Sequence, residues 1–217
     1  GYLEMNQRRA ENCGIIGIVG DDHVTDTLLE GLTILQNRGY DSAGLASVDE
    51  AGSNLFITKY ASKDSTADSI NLVRKDSQKH DGHKTGLAHT RWATHGGKTD
   101  ENAHPHTDAK RRIALVHNGT INNSSELRSQ LKNDGHSFSS ETDTEVIAIL
   151  VGAALDRGLS PKDALSHALS RCDGSWGIAM LHKDRPGEIV AACNGSPMVI
   201  GLGAGGKKFI ASETTAF

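Results

Sequence analysis

Four short segments of this sequence combine residue types and spacings that could do chemistry. Cys13 stands directly before the glycine-rich apolar run Gly14-Ile-Ile-Gly-Ile-Val-Gly20. A cysteine at a strand start, after a polar leader, is more accessible than one in mid-strand, and its thiolate is a nucleophile. Taken alone, a free cysteine is more often a small buried hydrophobe, and Cys172 and Cys193 have no context beyond that. In Ala88-His-Thr-Arg-Trp-Ala-Thr-His-Gly-Gly97, a strand ends in a dense run of polar side chains and glycines. Arg91 offers a fork that matches a carboxylate. Trp92 offers a flat apolar wall, and Thr94 and His95 add hydrogen-bonding groups. The bland reading is a surface loop with an arginine; the concentration of such groups at a strand end favours a binding loop.

Val116-His-Asn-Gly119 has two readings. Asn-Gly after a strand is a common turn signal. It is also an oxyanion hole in outline, because the Asn118 amide and the Gly119 backbone N–H can converge on one developing negative charge. Ser140-Glu-Thr-Asp-Thr-Glu145 reads first as an acid-rich helix N-terminus; read as a site, Asp143 faces a cleft and pairs with an ammonium group. His89, His95, His104, His106 and His117 invite a metal reading, but none falls in an H-E-x-x-H pattern and the cysteine spacings match no zinc site. No metal and no cofactor is expected. The pieces together form one toolkit: nucleophile, oxyanion hole, carboxylate fork and ammonium acceptor. A ligand with an α-carboxylate, an α-ammonium and a cleavable carbonyl is an amino acid amide, and glutamine fits.

The elements that must position these groups follow from hydrophobic period and punctuation. Strands are expected at Gly14 to Gly20, Ala43 to Val48, Leu55 to Tyr60, Lys84 to Thr90 and Ile113 to His117. Helices are expected from Val24 to Asn37, Lys63 to Lys79, Asn122 to Lys132, Thr142 to Asp156 and Ser160 to Ser170. From Trp176 onward the pattern is short strands: Trp176 to His182, Glu188 to Ala192, Met198 to Leu202 and Lys207 to Ala211. No regular βαβ alternation is visible, which points to an α+β fold with largely antiparallel sheets and helices in layers.

Composition narrows the function classes. The 217 residues suit one large domain, and 23 basic against 27 acidic residues give a net charge of −4. That balance argues against a nucleic-acid binder working by phosphate neutralisation. No apolar run reaches the length of a membrane span, and the polar residues before Cys13 carry no secretory signal. Aromatics are 4% of the chain, so the core must be aliphatic and alanine-rich. Three cysteines, an odd number, in a chain too large to need a disulfide framework make a reducing, cytoplasmic setting the expectation.

Six segments in order carry a resemblance. They are Cys13-Gly-Ile-Ile-Gly-Ile-Val-Gly20, Asn37-Arg-Gly-Tyr-Asp-Ser-Ala-Gly44, His89-Thr-Arg-Trp-Ala-Thr-His-Gly96, Asn102-Ala-His-Pro-His106, His117-Asn-Gly119 and Glu141-Thr-Asp-Thr-Glu-Val-Ile147. From about Cys13 to its end the chain resembles the glutaminase domains of class II glutamine amidotransferases. The third and fourth segments point to the glutamine–fructose-6-phosphate aminotransferase branch. The resemblance implies an N-terminal-nucleophile hydrolase: a four-layer α/β/β/α sandwich of two antiparallel sheets. It implies that Cys13 is the nucleophile, that its own α-amino group is the general base, and that Asn118 and Gly119 form the oxyanion hole. Arg91 and Asp143 would grip the glutamine carboxylate and ammonium. Trp92, Thr94 and His95 would line the pocket, and Arg38 would help position the nucleophile. A homo-oligomeric full-length protein follows from the same resemblance, as does a sugar-phosphate isomerase domain that passes ammonia to fructose-6-phosphate and is absent from this chain.

The sequence departs from that pattern at its start. Twelve residues precede Cys13, so its nitrogen is an amide with no basic lone pair. Residues 1–12 read as a leader removed by self-cleavage, as partly a cloning remnant (Gly1-Tyr-Leu-Glu4 before Met5), or as the mark of a catalytically silent relative. The expectation for the chain as written is a precursor or attenuated glutaminase. The alternatives are a glutamine-binding regulatory domain or the glutaminase domain of another class II amidotransferase.

Overall fold

The computed structural model describes residues 13–35, 41–63, 68–92 and 97–216. Strand β1 (Gly14–Val19) is covered on both faces, which is why it is a continuous apolar run rather than an alternating one. It pairs antiparallel with β4 (Thr85–Arg91), Gly14 opposite Thr90. On its other side it pairs with β9 (Lys208–Ala211). With β2 (Ser42–Val48), β3 (Leu55–Ala61) and β8 (Val199–Leu202) these strands form one sheet in the order β3-β2-β4-β1-β9-β8. A second sheet has the order β5-β6-β7, from β5 (Ile113–Ile121), β6 (Gly174–His182) and β7 (Val190–Asn194). Every strand pair within the two sheets is antiparallel.

The apolar residues sort into three layers. Helix α1 (Val24–Leu35) turns Val24, Leu28, Leu32 and Leu35 onto Ile16, Ile18, Leu45 and Ala88 of the first sheet. Helix α2 (Ser69–Lys75) adds Ile70 and Val73 to the same face. Between the sheets, Ile15, Ala46, Val48 and Leu87 meet Ala114, Val116, Ala179 and Leu181. The outer face of the second sheet, through Ile113, Leu115, Ile178 and Met180, is covered by α3 (Ser124–Asn133), α4 (Asp143–Asp156) and α5 (Pro161–Leu169). The result is the expected four-layer α/β/β/α sandwich. Each buried aliphatic side chain contributes roughly 1.5–3 kcal/mol relative to exposure, and the middle layer contains no aromatic among its buried members, in keeping with the composition.

Two expectations are corrected. The helix read over Lys63 to Lys79 is one short helix, Ser69–Lys75, followed by a 3₁₀ turn at Gln78–His80; residues 64–67 lie outside the described residues. The polar composition of that stretch gives it few apolar anchors, and those it has, Ile70 and Val73, fall within the short helix. Asn118-Gly119 is not a turn: both residues lie inside β5, paired with Gly177 and Trp176 of β6.

The segment after β4 is held close under β2. A Cβ at Gly44 would overlap the carbonyl oxygen of His104, so only glycine fits there. Gly44→Ala should therefore destabilise the fold by at least about 1–3 kcal/mol through overpacking, although alanine is normally preferred to glycine in a strand. Urea unfolding should show a lowered midpoint at unchanged slope; a wild-type midpoint would contradict this packing.

Candidate active site

Pairing of β1 with β4 sets the site. Gly14 lies opposite Thr90, and its N–H donates to Thr90 Oγ1 at 3.2 Å. Cys13, the residue before β1, is thereby set against Trp92, the residue after β4. Trp92 N–H donates to Cys13 Sγ at 3.3 Å, and the thiol faces Trp92 O at 3.8 Å. Burial pushes the Cys13 thiol up to about 11. The Trp92 N–H bond and the Arg91 charge oppose that rise, while the charges of Asp143 and Asp41 add to it. A thiol in that range is protonated at neutral pH, so it needs a base before it can attack.

Asn118 reaches the same point from the second sheet, its Nδ2 donating to Cys13 O at 2.8 Å. Gly119 follows with φ 131°, and a Cβ there would overlap the carbonyl of Ser175. Arg91, at the end of β4, is buried. Burial disfavours its charged form, and the fields of Cys13, Asp41, Asp143 and Glu141 favour it. Asp143 opens α4 and accepts Ile121 N–H on Oδ2 at 2.9 Å. The sequence-derived nucleophile, oxyanion-hole pair, fork and acceptor thus come from the residue before β1 and from β5, β4 and α4. The thiol feels the charges of both Arg91 and Asp143. Trp92 is half-buried beside Cys13. Arg38, Thr94 and His95 lie outside the described residues.

Several supporting residues had no assigned role at the level of sequence. Asn102 and Glu141 grip Gly97, where the described chain resumes after Trp92. Asn102 Nδ2 donates to Gly97 O at 3.0 Å, and Gly97 N–H donates to Glu141 Oε2 at 3.2 Å. Lys59, from β3, donates to the carbonyls of Glu101 and Ala103 at 3.1 and 2.8 Å. Burial draws its pKa down to about 8. At the start of α4, Thr142 caps the helix by accepting Glu145 N–H, and the Glu145 carboxylate accepts bonds from Ser139 and Ser140.

The histidines form a buried polar layer. His104 stacks on His89 at 4.1 Å between ring centres and meets His106 edge-on at 4.8 Å. His106 is carried to the margin of β5 by paired backbone bonds with Leu115. Its Nε2 lies 2.9 Å from Thr142 Oγ1. Thr144 Oγ1 joins His104 Nε2 (2.9 Å) to His117 Nδ1 (3.0 Å). Because His117 Nε2 faces the Ser175 carbonyl at 3.2 Å, that nitrogen carries the proton. Thr144 Oγ1 also donates to Asp143 Oδ1 at 3.4 Å, so one hydroxyl ties His104, His117 and Asp143 together. Among the described residues, no group of three or more histidine, cysteine or carboxylate side chains is arranged to hold a metal.

Comparison with known proteins shows what the chain as a whole is similar to. A family model for a glutamine amidotransferase domain matches residues 89–217. A glutamine–fructose-6-phosphate aminotransferase (isomerizing) from Leifsonia xyli subsp. xyli is 44% identical over 208 residues, 94% of this chain and 32% of that protein. The protein of the same name from Escherichia coli strain K12 is 43% identical over 205 residues, with the same shares. The chain therefore spans about a third of the length of these curated relatives. Among solved structures, glutamine phosphoribosylpyrophosphate amidotransferase from B. subtilis, complexed with ADP and GMP, superposes with a TM-score of 0.78 at 30% identity. That match covers 94% of this chain and 43% of the other. No helix among the described residues is long and apolar enough to cross a membrane.

The buried histidines make the fold sensitive to acid. Burial, first among the causes, holds His80 and His89 down to about 3, and holds His104 and His106 well below the usual range. In the unfolded chain each titrates near ~6.5. Between those limits the unfolded chain binds protons that the folded chain refuses, so stability rises with pH and is lost as acid is added. His80 and His89 should each remove about 2 kcal/mol between pH 7 and pH 5. Urea unfolding at the two pH values checks this; equal stability at both would contradict neutral buried imidazoles.

Proposed function

We propose that this chain, which belongs to the glutamine amidotransferase domain family, hydrolyses glutamine to glutamate and ammonia through a thioester on Cys13. The observation that carries this reading is the bond from Asn118 Nδ2 to Cys13 O, beside a thiol that lies within the fields of Arg91 and Asp143. The base is the Cys13 α-amino group, set free by cleavage of the bond after Asn12. An α-amine titrates near ~7.7–8.0. Full transfer of a proton to it from a thiol near 11 is uphill by roughly 4 kcal/mol, so the proton moves as the sulfur attacks rather than before.

The Cys13 sulfur adds to the glutamine side-chain carbonyl carbon as its proton passes to the α-amine, and the negative charge on the carbonyl oxygen is met by the Asn118 amide and Gly119 N–H. Collapse of that intermediate expels the amide nitrogen, which takes the proton held by the α-amine and leaves as ammonia. Water then adds to the thioester, giving glutamate and restoring the thiol. Arg91 holds the α-carboxylate and Asp143 the α-ammonium, with Trp92, Thr94 and His95 along the pocket and Arg38 beside the nucleophile.

In the full-length protein a further sugar-phosphate isomerase domain consumes the ammonia, with fructose-6-phosphate as acceptor, in amino-sugar (glucosamine-6-phosphate) synthesis. Support comes from the curated relatives, which carry that aminotransferase name and are about three times as long as this chain. The reading places a homo-oligomeric enzyme in the cytoplasm, with neither nucleic acid nor membrane as partner.

Glutaminase assays on chain processed at Asn12–Cys13 test this reading. Processed chain should release ammonia from glutamine, and Cys13→Ala should abolish release. Asp143→Ala should raise the KM for glutamine by roughly a hundredfold or more, because a desolvated ammonium loses its counter-charge at a cost of about 3 kcal/mol or more. Activity that survives Cys13→Ala, or a wild-type KM in Asp143→Ala, would overturn the assignment.

A further inference from the structure

We propose that His89 is a positioning residue for the oxyanion-stabilising amide: the proton on its Nε2 holds Asn118 in the orientation that turns Nδ2 toward Cys13. The inference rests on the thioester reading above and assigns a task to a side chain that touches neither substrate nor thiol.

An asparagine amide can sit either way round, and here its neighbours decide. The Cys13 carbonyl only accepts, so the amide face 2.8 Å from it must be Nδ2. The opposite face is then Oδ1, which lies 3.0 Å from His89 Nε2. The same ring nitrogen lies 3.2 Å from the carbonyl of His117. Both neighbours of Nε2 are acceptors, so Nε2 must donate. A flipped amide would set oxygen against the Cys13 carbonyl and NH₂ against the Nε2 proton, breaking both bonds at once.

The surroundings of His89 keep it in that form. It lies opposite Ile15 on β1 and Gly44 on β2. It is 1% exposed and stacked on His104. Desolvation keeps the ring neutral, and a neutral ring carries one proton only. With that proton on Nε2, Nδ1 is a bare acceptor, and among the described residues His89 Nδ1 is buried without a hydrogen-bond partner. A proton on Nδ1 would meet no hydrogen-bond acceptor among the described residues, so the proton stays on Nε2. An aliphatic residue would fill this space without an orphaned nitrogen. The unpaired acceptor accompanies a donor aimed at the side-chain amide that bonds Cys13.

Removing an oxyanion donor outright lowers kcat by ~10²–10³-fold. Loosening it should lower kcat on the order of 10–100-fold with KM little changed. The test compares wild type, His89→Leu, His89→Gln, Asn118→Ala and the double variant His89→Leu/Asn118→Ala, all as full chain processed at Asn12–Cys13. Readouts are kcat and KM for glutamine and the rate of Cys13 alkylation by iodoacetamide, which forms no oxyanion. His89→Leu should lose kcat and keep its alkylation rate. His89→Gln, whose amide can donate from a similar place, should recover most of the loss. In the Asn118→Ala background His89→Leu should change kcat by less than about twofold.

A wild-type kcat in His89→Leu, an equal loss in the Asn118→Ala background, or a parallel fall in alkylation would overturn the proposal. Should His89→Leu fail to fold, the Gln variant and a second measurement decide. Nitrogen-15 NMR of the unprocessed chain should show His89 as the Nε2–H tautomer from pH 5 to 8, and the Nδ1–H form or a charged ring would refute the role. A wild type without glutaminase activity would instead sink the functional reading, and the NMR result would still judge His89.

Discussion

The hydrogen bond from Asn118 Nδ2 to the carbonyl of Cys13 joins the two sheets where the chemistry has to happen. Its 2.8 Å length depends on the separation and register of two independently paired sheets. Within the first sheet, the pairing of Gly14 with Thr90 fixes Cys13 against Trp92. Within the second, the pairing of Asn118 with Gly177 fixes where along β5 the amide stands. The aliphatic layer between them, Ile15 and Leu87 against Val116 and Ala179, sets the gap. Cores pack densely and transmit small shifts, so a change in this layer reaches the site even where it touches no reacting group.

Beside the aliphatic layer lies a polar one. His89, His104, His106 and His117 occupy volume that Leu or Ile could fill at lower risk, and burial holds the first three neutral at working pH. Each buried polar atom left without a partner is destabilising, and among the described residues the Nδ1 atoms of His89 and His104 are left so. What the layer supplies is direction. Donors and acceptors run from Ser175 through His117 and Thr144 to His104, and from His89 to Asn118. Fully specified hydrogen bonds of this kind rigidify a site. An oxyanion hole gains its effect from donors already in place before charge develops.

Much of the site was legible in the sequence because its groups carry unusual chemistry in short segments. Cys13 before a glycine-rich strand, Arg91 at a strand end and Asp143 at a helix start are local signals, and the fold sets the thiol within the fields of the other two. Asn118-Gly119 was ambiguous, since the pair is equally a turn signal. Only the pairing of β5 through Ile121 with Gly174, a long-range fact, shows that the strand continues. Lys59, Asn102 and Thr144 were silent because their partners, the Ala103 carbonyl, Glu141 and His104, each lie about 40 residues away. His104 and His106 stood inside a recognisable segment without a role, because stacking between rings leaves no periodic trace. The glycine at 44 could be read as permissive backbone, but its reason, the carbonyl of His104 passing beneath, is tertiary.

The central claim is that Cys13 is a nucleophile waiting for its own amine. The most direct measurement is intact mass of the protein before and after incubation with a glutamine-like electrophile. An N-terminal-nucleophile glutaminase loses the mass of residues 1–12 and then gains a single adduct, which peptide mapping places on Cys13. Full-length protein that gains the same adduct on Cys13 at the same rate, or processed protein that gains none, would contradict it.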